Sequence, residues 1–301
     1  NSQSNNDFWR IICSYICIFV FGISVVNYTV KFDKRINPIR NDLASKSYIG
    51  IVSRKKYVYG RTHTVISNYS PIYNKKNSQL STQLLFGERC KVFDTSKGWS
   101  WVQSLRDDYV GYTPSKNIKK LIFTPSHKVK SLRTFIYSKP NIKSKILSYL
   151  SFNSLVKVSS TKSGFFKIHN LGWCPISDLS KISEKKFNIV NLARQFLNTP
   201  YYWGGRDSHG IDCSALIQNI MQMKNINFPR DTDMQEDFCT RSILRKNLKA
   251  GDLVFWKGHV ALMTEKKNII HANAFHMKTH EEPLVTAEKR ILKTNGKVRK
   301  Y

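Results

Sequence analysis

Cys213, His259 and His271 are the residues whose types and settings could together do nucleophilic chemistry. Cys213 follows an aromatic, glycine-rich stretch, Pro200-Tyr201-Tyr202-Trp203-Gly204-Gly205, and then Asp212. Behind it Leu216, Ile217, Ile220 and Met221 recur at helical spacing, so the run predicts a helix capped by Asp212 with Cys213 in its first turn. The free N–H groups of a helix start favour a thiolate, which would make Cys213 a nucleophile. A lone cysteine is otherwise a small buried hydrophobe. The histidines decide between these readings. His259 opens a strand-like run, Thr264–Asn268 is turn-like, and His271 lies in a second run. In any hairpin register with an even sum of paired positions, both imidazoles share a face within contact range. One can take the thiol proton while the other fixes its ring and tautomer.

The elements around these residues are short. Hydrophobic spacing in Phe187–Leu197 predicts a helix, capped by Ser183 and ended by Pro200. Residues 248–256 read as a tight turn into a buried strand, giving a helix-then-sheet order that fits α+β. Upstream, residues 49–120 and 127–180 look like two copies of one β-rich unit: GYTPSKNI at 111–118 answers GWCPISDL at 172–179, and GERCKV at 87–92 answers NSLVKV at 153–158. Small β-barrels are expected.

Residues 187–282 resemble the catalytic domain of the NlpC-type cysteine peptidases, which cut bacterial cell-wall peptides. The blocks TPYYWGGRDSHGIDCSALIQ, FPRDTDMQ, LKAGDLVFWKGHVALM and IIHANAFHM stand in that family's order and spacing. Ala215 departs from it, standing where the family usually has glycine. The two upstream copies resemble bacterial SH3-like domains. The resemblance implies an α+β, papain-like catalytic domain preceded by two SH3-like barrels. The expected division is an apolar segment and linker at 1–44, SH3-like domains at 45–120 and 121–183, and the peptidase at 184–301. It implies that Cys213 attacks, His259 relays the proton and His271 orients His259. The Tyr201 hydroxyl would join the Cys213 N–H at the oxyanion, with Trp203, Asp212 and Ser214 positioning substrate. With paired SH3-like domains it resembles the γ-D-glutamyl-L-diamino-acid endopeptidases (dipeptidyl-peptidase VI type). Those cut between γ-D-Glu and meso-diaminopimelate in murein peptides with a free L-Ala amine, in cell-wall peptide recycling. Asp231 and Thr232 would then hold the amine, helped by Glu88 and Tyr109. For Asp231 the alternative is a helix cap. The same Cys–His–His site could instead transfer an acyl group to an amine or lipid, and a non-catalytic, basic wall-binding protein is the competing class.

Composition bounds the rest. There are 49 Lys and Arg against 20 Asp and Glu, a net charge of +29. Residues 1–183 carry 29 of these bases and 8 of the acids, so the excess lies mainly outside the peptidase-like region. Such a surface attracts nucleic acid, anionic lipid or wall polymer, but the lysines are scattered rather than clustered, and no nucleic-acid partner is expected. The cysteines at 13, 17, 90, 174, 213 and 239 form no Cys-x-x-Cys pair and no ligand spacing with histidine. That suggests neither metal nor disulfide, and free thiols fit a reducing compartment. No cofactor is implied. Residues 8–30 are apolar and marginally long enough to span a bilayer, with Lys31, Lys34, Arg35 and Arg40 after them. That pattern leaves the enzyme cytoplasmic with an inner-membrane attachment as one reading, and a signal or upstream extension as others. Nothing in the sequence sets the oligomeric state.

Overall fold

Alternating apolar residues in the first β-rich region build a seven-stranded antiparallel sheet. Its order is Leu80–Leu85, Tyr69–Tyr73, Val110–Pro114, Trp99–Ser104, Arg89–Ser96, Arg61–Val65 and Ile118–Lys119. Val65, Ile72, Leu84, Cys90 and Val102 are fully buried within it. This is a computed structural model; it describes residues 32–120 and 123–301, and Asp33–Tyr301 form one compact unit. The apolar run at 8–30 lies outside the described residues, and no helix among those described is long and apolar enough to cross a membrane. Residues 33–44, read from sequence as linker, end folded against the first sheet. Leu43–Ser45 pairs in parallel with Lys56–Val58, and Leu43 packs with Phe93, Trp101 and Val110.

The second β-rich region forms a five-stranded sheet, ordered Ile146–Ser151, Arg133–Tyr137, Gly172–Pro175, Phe165–Ile168 and Val158–Lys162. A smaller sheet of Leu155–Val156, His127–Val129 and Leu179–Lys181 lies beside it. The internal repeat is visible in the backbone. Val110–Pro114 runs into a 3-10 turn at Ser115–Asn117 and the strand Ile118–Lys119; Gly172–Pro175 runs into Ile176–Asp178 and Leu179–Lys181. Gly111 and Gly172 occupy equivalent places for the same steric reason. A Cβ would come within 2.5 Å of Ile72 Cγ2 and Tyr73 O at the first, and within 2.6 Å of Ile136 Cγ2 and Tyr137 O at the second.

The remaining third has four helices, Ile189–Arg194, Cys213–Met223, Thr232–Phe238 and Leu284–Ile291. Its antiparallel sheet runs Leu253–Trp256, His259–Met263, Asn268–Asn273, Lys278–Pro283. Strand alternation divides the sheet into two faces. Phe255, Val260, Leu262, Ile270 and Ala272 cluster with Leu216, Ile217 and Ile220 of the Cys213 helix. Val254, Trp256, Ala261, Met263 and Ile269 cluster with Leu284, Ala287 and Ile291 of the last helix. The arrangement is α+β, as the sequence suggests. The first helix starts later than its spacing predicts: Asn188, not Ser183, is the cap, accepting from Asn191 N at 3.0 Å.

Candidate active site

Asp212 caps the helix that starts at Cys213, accepting from Ala215 N at 2.8 Å. Its Oδ2 also accepts from Gly204 N at 2.9 Å, tying the glycine-rich loop to the helix start. The buried guanidinium of Arg230 grips the same carboxylate with two bonds, at 2.7 and 3.0 Å, and donates to Ser214 Oγ at 2.8 Å. Its Nε donates to Thr82 Oγ1 of the first sheet at 2.7 Å. A planar fork against a carboxylate is the strong geometry for such a clamp. The helix start, and Cys213 with it, is therefore held from both sides.

The thiol is buried and has a Val260 backbone N–H as a neighbour. Burial, with the Asp212 carboxylate beside it, pushes its pKa up to about 11. The direction is opposite to the thiolate expected at the helix start, because desolvation and a neighbouring negative charge both disfavour ionisation of the thiol. His259 shifts the same way in effect. Burial and the neighbouring His271 hold its imidazole well below 6.5. At rest the thiol and the imidazole are thus both neutral.

Leu262 lies opposite Ile270 and Met263 opposite Ile269, an even-sum register that puts His259 and His271 on one face. Their rings meet with Nε2 of His259 2.8 Å from Nδ1 of His271. His271 Nε2 in turn lies 2.8 Å from Glu282 Oε1, and Arg290 of the last helix donates to both oxygens of that carboxylate, to Oε2 at 2.8 Å. Burial alone would raise Glu282, but Arg290 and His271 outweigh it and hold the carboxyl far below its usual range. The tautomers follow. An ionised carboxylate only accepts, so His271 donates from Nε2 and its Nδ1 is bare. His259 then donates from Nε2, which leaves its Nδ1 lone pair free to act as base.

Cys213 lies in a cleft of about 350 Å³, whose walls also carry Tyr201, Trp203, Asp212, Ser214, Tyr109, Asp231 and Thr232. Trp203 is an exposed rim residue, 59% accessible. Tyr201 is fixed by a Tyr201 N–Met277 O bond of 2.9 Å, and its hydroxyl titrates above the usual range through burial and the nearby Cys213. Thr232 Oγ1 stands 3.9 Å from Cys213 Sγ, so it flanks the thiol. Asp231 occupies the cap position of the Thr232–Phe238 helix, but its side chain makes no capping bond. Instead Oδ2 accepts from Tyr109 OH at 3.3 Å and from Arg35 Nη1 at 2.9 Å. Burial raises its carboxyl pKa against the pull of Arg230 and Arg35.

Three sequence candidates do not line the cleft: His259 and His271, which stand behind it with Gly258 in its wall, and Glu88. Glu88 is the one held elsewhere by its own partners. It is 2% exposed and paired with Arg206 at 3.1 Å, with Leu85 N and Gln222 as further partners. Burial pushes it up, but Arg106 and Arg206 hold it below the ordinary carboxylate range. Its role is structural. Sequence reasoning also missed four residues at the site: Glu282, Arg290, Arg230 and Arg35. The signal for Glu282 was there, since His271 pairs with His280 and Glu282 is two residues along the same strand face. Among the described residues, the His271, His276 and Glu282 donor atoms lie within 4.8 Å of one another, a spacing that could hold a metal. The Arg290 guanidinium already places a cation on both oxygens of Glu282.

Comparison with known proteins matches residues 198–291 to the NlpC/P60 family and residues 72–118 to the bacterial dipeptidyl-peptidase SH3 domain. The dipeptidyl-peptidase 6 of Lysinibacillus sphaericus is 35% identical over 100 residues, 31% of this chain and 37% of that protein. The γ-D-glutamyl-L-lysine dipeptidyl-peptidase of Bacillus subtilis is 28% identical over 221 residues, 64% of this chain and 72% of that one. A solved NlpC/P60 family protein from Bacillus cereus superposes with a TM-score of 0.66 at 20% identity, covering 74% of this chain and 94% of its own. That likeness concerns the fold.

Proposed function

We propose, from the premise that this chain carries an NlpC/P60 cysteine-peptidase domain together with a dipeptidyl-peptidase SH3 domain, that it releases L-Ala-γ-D-Glu from murein peptides. The bond cut joins γ-D-Glu to the diamino acid, meso-diaminopimelate or the lysine for which the Bacillus relatives are named. The observation that carries this reading is Asp231. Its carboxylate lies in the wall of the cleft that holds Cys213, makes no cap bond, and has Oδ1 without a hydrogen-bond donor among the described residues. A buried carboxylate with an open oxygen suits a cationic amine, through a charge-assisted bond about twice as strong as a neutral one.

In this mechanism Cys213 passes its proton to His259 Nδ1 as Sγ attacks the amide carbonyl. Because both partners rest neutral, transfer accompanies attack. The Cys213 N–H and the Tyr201 hydroxyl receive the oxyanion. His271 and Glu282 spread the positive charge that forms on His259, which then protonates the departing diamino-acid amine. Water, deprotonated by His259, hydrolyses the thioester. The second β region is read as an SH3-like repeat of the first, with domains at 45–120, 121–183 and 184–301. Free-amine murein peptides arise when wall is broken down, so recycling is the process this activity serves.

The test compares L-Ala-γ-D-Glu-diamino acid with its N-acetyl form, following dipeptide release by mass spectrometry. We expect the free amine to be favoured about a hundredfold in kcat/KM, the order expected when a buried charge loses its partner. Equal cleavage of the two peptides, or loss of the preference's dependence on Asp231 in Asp231→Asn, would sink the assignment.

A further inference from the structure

We propose that Arg35 determines specificity for the chain end of the substrate, by fixing the Asp231 carboxylate so that one oxygen faces the incoming amine. This inference rests on the function proposed above. Arg35 comes from the segment ahead of the first sheet, 196 residues from Asp231 in sequence, and lies in the cleft wall beside Tyr109 and Asp231. Every N–H of its guanidinium is taken by a carboxylate. Nε donates to Asp33; Nη1 donates to Asp231 Oδ2 and Asp233 Oδ1, both at 2.9 Å; Nη2 donates to Asp33 Oδ2 and Asp233 Oδ2, both at 2.7 Å.

A side chain that uses its whole donor set on three carboxylates has one orientation. Its backbone is held as well, with Arg35 O accepting from Val110 N at 2.6 Å and Gln103 Nε2 bonding the next carbonyl, Ile36 O, at 3.0 Å. Arg35 therefore stays when a ligand enters. It occupies Oδ2 of Asp231 together with Tyr109, and the open oxygen is Oδ1.

The groups facing Asp231 are Arg35 and Arg230, both cationic, the Tyr109 hydroxyl, and the carboxylate of Asp233 on its own helix. Without Arg35, Asp233 and Asp33 lose the cation that balances them, and the field around Asp231 turns negative. Asp231 then takes a proton at higher pH, and a neutral carboxyl holds an ammonium group poorly.

Arg35→Met removes the charge and keeps the length; Arg35→Lys keeps the charge and loses the fork. With the free-amine tripeptide we expect Arg35→Met to raise KM about tenfold at pH 7, and further as pH falls to 5, with kcat within about threefold of the parent. Arg35→Lys should recover part of the KM. An unchanged KM overturns the proposal. So does a lowered one, which would make Arg35 a plug that competes with the amine. A carbon-13 NMR titration of the Asp231 carboxyl in substrate-free protein, assigned with Asp231→Asn, gives a second reading that needs no turnover. It should move to higher pH in Arg35→Met, and a fixed midpoint overturns the proposal too. If the unaltered protein shows no preference for the free amine while the carboxyl still shifts, the substrate assignment fails and the role of Arg35 in fixing Asp231 stands.

Discussion

The first β region sends charged and aromatic side chains into and behind the cleft, whereas the side chains of the second, built on the same succession of strands, are received mostly by backbone carbonyls and hydroxyl groups of the peptidase domain. From the first come Tyr109 to Asp231, Thr82 to Arg230, Glu88 to Arg206, and Arg106 and Asp107 to Gln218. From the second, Lys128 Nζ donates to Met223 O at 2.6 Å, Asn153 Nδ2 to Asn219 O at 2.8 Å, and Arg133 Nε to Ser208 Oγ at 2.9 Å. Both regions hold the Cys213–Met223 helix, and the first also reaches Gln218 and Gln222 towards its end. The first fixes its start, where the chemistry is. The second meets its last carbonyl, Met223 O, with an ammonium group, which favours the helix dipole. One succession of strands, met twice in the chain, reaches the cleft wall in the first region and the far end of the helix in the second.

The largest test of this contrast is Glu88→Ala. It leaves the fully buried Arg206 without its carboxylate, and removing one partner of such a pair costs about 3–5 kcal/mol. Urea unfolding should show that loss; a change below about 1 kcal/mol would mean the first region is not anchored there. Glu282→Gln comes next and probes the relay alone. With no carboxylate to fix its tautomer, His271 orients His259 poorly, and kcat should fall by one to two orders of magnitude, about 1.4–2.8 kcal/mol, with little change in KM. Rates within twofold of the parent would remove Glu282 from the relay.

Smaller effects sharpen the comparison. Tyr109→Phe deletes a neutral donor to Asp231 and should raise KM about fivefold, near 1 kcal/mol, with unfolding unchanged. Asn153→Ala, a test of a contact made by the second region, should do the reverse. It lowers stability by about 1–2 kcal/mol and leaves KM for the tripeptide alone. If Asn153→Ala alters KM, the second region is not a mere buttress. The pH dependence separates the cleft's two ends. The histidines are held below their ordinary values by burial, so the folded state binds fewer protons than the unfolded chain once pH drops under about 6.5. Their contribution to stability is full above that pH and is lost as pH falls, and the acid limb of kcat should lie below the ordinary histidine range. The limb in KM reports Asp231 instead.

What could be read from sequence was what depends on near neighbours. The Asp212 cap, the helix behind Cys213 and the shared face of His259 and His271 follow from periods of 3.6 and 2, and the paired β regions from matching turns. Glu282 and Arg290 needed the register of a further strand and the docking of the last helix. Arg35 lies 196 residues from its partner, beyond any local pattern. Glu88 was misassigned because a local match says which strand a residue is near, not which way its side chain points. The thiolate expectation failed because a helix start was weighed without Asp212 and without burial. Both act on the same sulfur.

The bond from Arg230 to Thr82 has a consequence in time. The chain is made from its amino end, and Thr82 emerges 148 residues before the arginine that will reach for it. The surface that receives the nucleophile's capping clamp is thus complete before Cys213 has left the ribosome, since domains generally fold as units in that order. A chain interrupted between residues 213 and 230 has the sulfur but not the clamp, and a peptidase half made without the first sheet has the clamp but not its anchor. Hydrolytic competence in this protein waits on residues made well after the first sheet.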